Sequence, residues 1–362
     1  MPRFLEAIED VVGSTLFYYA VSPLLKIAAA LFVVLTLIAY LTLAERKILG
    51  FIQVRLGPNR VGPWGLFQPI ADVAKLLVKE DIVPQHAIKW AFVLGPCLVV
   101  GPALVILAVI PFGPSADVTG GMGWHIADVN VALLFVLAVA TIGVYGIILG
   151  GWGSNSKFSM LGGLRSAAQM ISYEVPQGLS LVVPLMMAGT MSLNGIVEAQ
   201  HDQHIWYVFN YYGIGLAAFF VYFVAGVAET NRNPFDLPEA ESELVAGFHT
   251  EYSGMRFALF FLGEYANMIV ISAVAVTLFI GGWLPPFANQ SWAGFLSLSF
   301  LPAGLAGFIW FFVKLLAFLF VYIWFRGTFP RYRFDQLMAL GWKWLLPMAL
   351  AAIMLTGLVK VL

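Results

Sequence analysis

The chain has 362 residues, of which 60% are hydrophobic and only 11% charged, with a mean hydropathy of +0.87. Soluble domains carry roughly 25% charged residues, so this chain cannot clothe itself in polar groups, and lipid is the solvent that fits. The net charge of −1 offers nucleic acid no basic field, and a lone cysteine, Cys97, supplies neither the thiolates of an iron–sulfur cluster nor a disulfide framework.

In chain order, the acidic Glu6, Glu9 and Asp10 precede the first apolar stretch, where a cleaved signal would be basic, so that stretch is expected to be a retained anchor. A bilayer core needs roughly 20 apolar residues per helix. Eight segments meet that length, near residues 24–44, 90–110, 131–151, 169–189, 211–228, 257–280, 305–325 and 344–361. They lack the period-2 alternation of barrel strands. The expectation is an all-α integral membrane protein, a bundle of eight transmembrane helices forming a single transmembrane domain over residues 1–362.

The loops at 45–89, 152–168, 229–256 and 326–343 fall on one side. Of the 19 Lys and Arg, only Arg3, Lys26 and Lys360 fall on the other, Lys314 lies inside the seventh segment, and the rest share the loop side. That asymmetry places the loops in the cytoplasm and both termini outside, across a cell inner membrane.

The first loop is too long for a tight connection. Within it Pro69 suits a first helical turn, and Ile70, Val73, Ala74 and Leu77 follow at helical spacing, with Asp72, Lys75 and Lys79 on the opposite face. This predicts an amphipathic helix at the membrane surface. Around it stand Glu45, Arg46, Lys47, Arg55 and Arg60. They read either as a patch for lipid phosphates or as a docking surface around a cavity mouth, and the intervening Gly and Pro favour a tightly turned loop.

The 229–256 loop holds Glu229, Asp236, Glu239, Glu241, Glu243 and Glu251 against one Arg and one His. A solvated acidic face is one reading. The other loops are basic, however, and Phe235, Leu237, Leu244, Val245 and Phe248 interleave these acids, which suggests a loop folded back into the protein. Crowded, half-buried carboxylates cannot all ionise near neutral pH, so some are expected to exchange protons. Glu174, Glu264 and Lys314 lie inside apolar segments, where an ionisable group must face the bundle interior or water. They serve either as a structural ion pair, such as Lys314 with Glu264, or as a proton relay. Pro176 would free a backbone carbonyl near Glu174. His201, Asp202 and His204 lack further ligands for a metal, and the Gly150–Gly153 and Gly162–Gly163 runs read as helix ends.

Five motifs then stand in order: Ala44-Glu45-Arg46-Lys47 with Arg55-Leu56-Gly57-Pro58-Asn59-Arg60, Gln68-Pro69-Ile70-Ala71-Asp72, Ser172-Tyr173-Glu174-Val175-Pro176, Ala228-Glu229-Thr230-Asn231-Arg232 through Glu243-Leu244-Val245, and Pro330-Arg331-Tyr332-Arg333-Phe334-Asp335. Together, over essentially the whole chain, they resemble the family of the H-type membrane subunit of proton-pumping NADH:quinone oxidoreductase, respiratory complex I. The resemblance implies a component without a redox centre of its own, working with FMN and iron–sulfur clusters held by partner subunits and with quinone as substrate. It implies peripheral quinone-module subunits, small membrane subunits and membrane lipid as partners. By the same resemblance Glu45, Arg46, Arg55, Asp72 and Lys75 would line or support the entrance of a quinone chamber. Glu229, Asp236, Glu239, Glu241, Glu243 and Glu251 would form an acidic coupling route that Glu174 and Glu264 continue inward, while Arg331, Arg333 and Asp335 would shape a docking surface. Two other classes compete: the homologous subunit of a membrane-bound hydrogenase, and a stand-alone ion or proton carrier. The close match of the two charged loops disfavours the first, and their size disfavours the second.

Overall fold

Long apolar runs without internal polar punctuation close their backbone hydrogen bonds locally, and helices follow wherever lipid or packing takes up the side chains. The computed structural model describes residues 21–114, 124–237, 246–286 and 301–361, and among these no strand occurs. The main helices are α1 (Ser22–Ile52), α2 (Gln68–Val78), α3 (Lys89–Ile106), α4 (Ala132–Gly153), α5 (Lys157–Ala188) and α6 (Leu193–Asp202). They continue as α7 (Ile214–Glu229), α8 (Gly254–Phe279), α9 (Ala303–Thr328), α10 (Phe334–Ala339) and α11 (Leu346–Val361), with a π-helical stretch, Leu340–Leu345, joining the last two. Among the described residues, seven helices are long and apolar enough to cross a membrane, and eight if α5 and α6, bent by 52° at their junction, count as one span. The chain is an all-α integral membrane protein.

Several ends differ from the expected segments. Residues 45–52, expected in a loop, are the last turns of α1, so Glu45, Arg46 and Lys47 stand on a helix. Residues 157–168 likewise belong to α5, a helix of 32 residues, and the 326–343 connection is mostly helical. Hydropathy counts only the turns that lipid can accept, whereas a helix continues as long as its backbone stays bonded and its faces find packing. Gly162 and Gly163 accordingly mark no helix end. They lie inside α5, and a Cβ on Gly162 would stand 2.7 Å from the Gly247 Cα that packs there. The end of α5 is set by Gly189, left-handed at φ 75°, whose N–H donates to Leu185 O at 2.8 Å.

α8 forms the centre: 72% of its membrane-length window is buried inside the molecule, against 22% for α1. Around it α3 and α4 pack through glycine, since Cβ atoms on Gly95, Gly146 and Gly263 would fall within 3.0 Å of neighbouring atoms. α2 is the expected amphipathic helix. It lies against α1 and α8, yet Ile70, Val73 and Leu77 remain exposed.

Candidate functional site

The arginine-rich residues after α1 fold back on that helix. Gly50 and Gly57 permit the close approach, because a Cβ on Gly57 would sit 2.9 Å from Lys47 Cα. Gly65, at φ 75°, makes a second turn that a Cβ would block 2.3 Å from Pro58 O. The result is an open cavity of about 770 Å³ lined by Arg46, Arg55, Leu56, Gly57, Pro58, Asn59, Arg60 and Gln68. Arg46 donates to Asp72 at 2.8 Å, Gln68 to the other oxygen of Asp72 at 3.2 Å, and Lys75 lies 3.7 Å from it. Arg55 is oriented by Gln53 at 2.7 Å. Of the expected entrance residues, Arg46, Arg55, Asp72 and Lys75 therefore gather here.

Glu45 does not. It points into the bundle, 3% exposed, where Arg232 Nη1 reaches its two oxygens at 3.2 and 3.3 Å, Tyr265 donates at 2.6 Å and Arg326 donates a further bond. Arg232 Nε lies 2.5 Å from Glu264 Oε1, and its guanidinium stacks 4.3 Å from the centre of the Tyr265 ring. Two carboxylates and two guanidiniums from α1, the loop after α7, α8 and α9 thus form one balanced network, buried at Glu45, Arg232 and Glu264 and open to the surface at Arg326. Burial alone would discharge Arg232, but Glu264, Tyr265 and Glu45 hold it protonated. Glu264 pairs with Arg232, and Lys314 is bound elsewhere, which removes the expected Lys314–Glu264 pair.

The loop after α7 folds back as its apolar residues required: Phe235, Leu237 and Phe248 are buried. Gln169 of α5 donates to both Ala228 O and Phe235 O at 2.8 Å, and Asn231 donates to Ser166 at 2.9 Å. Asp236 accepts from Arg331 at 3.1 Å. Burial pushes the Asp236 carboxyl above the ordinary aspartate range, against the opposing pull of Arg331, Arg326 and Arg232. Glu251 is half-buried in the turn before α8. Glu239, Glu241 and Glu243 lie outside the described residues.

Glu229 ends α7, with Oε2 buried and without a hydrogen-bond partner. Gln177 of α5 and, one turn earlier, Glu174 lie near enough to act on this carboxyl. Thr141 of α4 donates to Glu174. Between Glu229 and Glu264 lies a cavity of about 30 Å³ lined also by Thr230, Asn231, His249 and Asn267. A water needs roughly 10–15 Å³, so the cavity has room for about two, beside these polar groups and the apolar Val99, Ile147, Met170, Phe248, Phe260 and Phe261. His249, 7% exposed among the rings of Phe248, Phe257 and Phe261, has its pKa lowered by burial from 6.5 to about 4.

Sequence reasoning assigned no role to Arg232, Arg326, Tyr265 or His249. The only signals were an arginine isolated among acids and a tyrosine adjoining Glu264. His201 and Asp202 are exposed and 3.6 Å apart, and no group of three or more His, Cys, Asp or Glu among the described residues is placed to hold a metal.

A family model described as NADH dehydrogenase matches residues 25–357. The H subunit of the NADH-quinone oxidoreductase of Magnetococcus marinus is 49% identical over 99% of this chain and 98% of its own length. The H subunit numbered 2 of Geobacter sulfurreducens is 52% identical over 92% of this chain and 94% of its own, and the H subunit of Rhodospirillum rubrum 50% identical over 93% and 94%. With end-to-end likeness at this level and a family model spanning nearly every helix, the chain belongs to the NADH-quinone oxidoreductase H-subunit family.

Proposed function

We propose that the chain is the membrane component that admits quinone and couples its reduction to proton movement in a proton-translocating NADH:quinone oxidoreductase of a cell inner membrane. Electrons reach the quinone from FMN and iron–sulfur clusters in partner subunits, and the protein's own part is to bind, orient and move protons. The arginine-lined cavity held by Arg46, Arg55 and the Asp72–Lys75 face is the mouth. Its size lies within the range of small-ligand pockets, and it opens beside α1, α2 and α8. The exposed apolar face of α2 rests on lipid, so a hydrophobic quinone arrives from the bilayer at this point.

Reduction of a quinone to a quinol takes two electrons and two protons, and carboxylates at the rim of an apolar space feel that change of charge. Glu45 and Glu264, bridged by Arg232, connect the mouth to the small cavity beside Glu229. Glu229 and then Glu174 lead from that cavity towards α4 and α5. Asp236, Glu251 and the loop acids Glu239, Glu241 and Glu243 supply the route at its surface end. The observation that carries this reading is the two-water cavity between Glu229 and Glu264, where an unsatisfied carboxylate oxygen borders a space fit for a proton wire.

The test is Glu229→Gln in native membranes, a change that keeps shape and removes the titrating group. The complex is expected to assemble while coupled NADH-to-quinone turnover falls at least about tenfold, the scale of a lost proton-transfer group. Parent-level turnover and proton gradient from the assembled variant would exclude Glu229 from the route.

A further inference from the structure

Lys314 is buried in the middle of α9, and the route proposed above makes no use of it. Its Nζ donates to three carbonyl oxygens, Ile280 at 2.6 Å, Gly282 at 3.0 Å and Leu284 at 2.6 Å, and lies 4.6 Å from the centre of the Trp206 ring. No carboxylate is among these contacts. An ammonium has three N–H donors, and all three are used. We propose that the turn following α8 is a binding cage for a primary ammonium, made of three carbonyls and an indole face, which Lys314 fills from α9.

The turn is shaped for this. α8 ends at Phe279 and carries the negative end of its dipole there, and the carbonyls of Ile280, Gly282 and Leu284 follow directly beyond it. Gly281 and Gly282, at φ 73° and 50°, curl the chain so that successive carbonyls converge instead of diverging. A Cβ on Gly281 would stand 2.8 Å from Trp206 Cδ1, so the absence of a side chain is what lets the indole close the cage. Gly282 N–H returns to Val276 O at 2.8 Å, and Gln200 of α6 satisfies Thr277 O at 3.0 Å, which leaves the three carbonyls to the lysine. Carbonyl rings of this type replace the hydration shell of a small cation, and the ring face adds attraction where water is excluded.

The consequence reaches the charged network. α8 carries Glu264 and Tyr265, and α9 carries Arg326, which bonds Glu45. The Lys314 cage ties α8 to α9 at the end remote from those residues, about 22 Å along α8 from Glu264 at 1.5 Å per residue. Lys314 is thus a positioning residue that sets the depth of α8 in the bundle.

The experiment uses the intact complex in native membranes with Lys314→Ala and Lys314→Met, with heat inactivation of turnover and heat release of the chain on native gels as readouts. The probes are propylamine and trimethylamine at matched pH and ionic strength; both cross membranes as free bases. Both variants are expected to inactivate several degrees below the parent. Propylamine restores Lys314→Ala, whose truncated side chain leaves room for it, but not Lys314→Met, whose thioether fills the space. Trimethylamine restores neither, because its one N–H serves a single carbonyl. A Lys314→Met complex as heat-stable as the parent overturns the cage, as does an equal response of Lys314→Ala to the two amines. If Lys314→Ala does not assemble, the cells are grown with each amine: assembly recovered by propylamine alone upholds the cage, and no recovery, or equal recovery with trimethylamine, overturns it. Heat release on gels is independent of quinone and proton chemistry, so the cage and the proposed route stand or fall separately.

Discussion

The charged residues sort by what they bond. At the loop-bearing end, guanidiniums meet carboxylates: Arg232 and Arg326 on Glu45, Arg331 on Asp236, Arg46 on Asp72. At the other end the lysines meet backbone. Lys26 donates to His125 O at 3.2 Å and Lys360 to Met186 O at 2.5 Å, as Lys314 does to the turn after α8. The described lysines on the side poor in charge therefore have local work, satisfying backbone carbonyls. His249 carries a pH consequence. Its buried ring stays neutral when folded and becomes a normal histidine when exposed, so it contributes stability fully present above pH 6.5 and lost as pH falls towards about 4. Within that window the loss amounts to about 1.4 kcal/mol per pH unit. Heat inactivation of the complex measured from pH 7 to 4 should steepen accordingly, and His249→Asn should flatten the curve. Superimposable parent and variant profiles would mean that His249 is already solvated.

Among elements, the apolar spans were legible because lipid leaves helix as the only economical backbone, and α2 was legible from its apolar spacing and Pro69. Helix ends were not. The last turns of α1 and the first turns of α5 are polar enough to read as loop, yet packing keeps them helical, as Gly162 against Gly247 illustrates. The α3–α4 contact was equally hidden, since glycines inside an apolar run look like breakers until a second helix arrives. A Cβ on Gly146 would lie 2.7 Å from Val99 Cγ2 and 2.8 Å from Gly95 O. Gly146→Ala should therefore destabilise the chain by roughly 1–3 kcal/mol, the usual effect of overpacking. Reduced complex yield and a lower inactivation temperature would register it. Unchanged values would show that α3 and α4 have room to separate.

Across the molecule the bundle has two chemically different ends, and from the distribution of Lys and Arg we propose that the arginine-rich one faces the cytoplasm. On a Cys97→Ser background, Asp202→Cys should react with a membrane-impermeant maleimide in intact spheroplasts. Lys157→Cys should react only in inverted vesicles, both positions being exposed. The reverse pattern would invert the orientation. This polarity also organises the site, because the cavity mouth, the Glu45–Arg232–Glu264 network and the Glu229 cavity all gather towards the loop-bearing end.

Composition and spacing suffice to assign the solvent, the helical class, the amphipathic helix and the stretches of unusual charge. Each of these depends on composition or on spacing within one segment, which neighbours along the chain reveal. That Glu45 turns into the bundle interior, that Arg232 joins it to Glu264, and that Lys314 serves carbonyls instead of a carboxylate emerge only from the packing. Those outcomes depend on which helix faces meet, with Glu45 and Arg326 lying 281 positions apart in the chain. Burial makes every charge in the bundle require a partner, but only the packed fold selects which one.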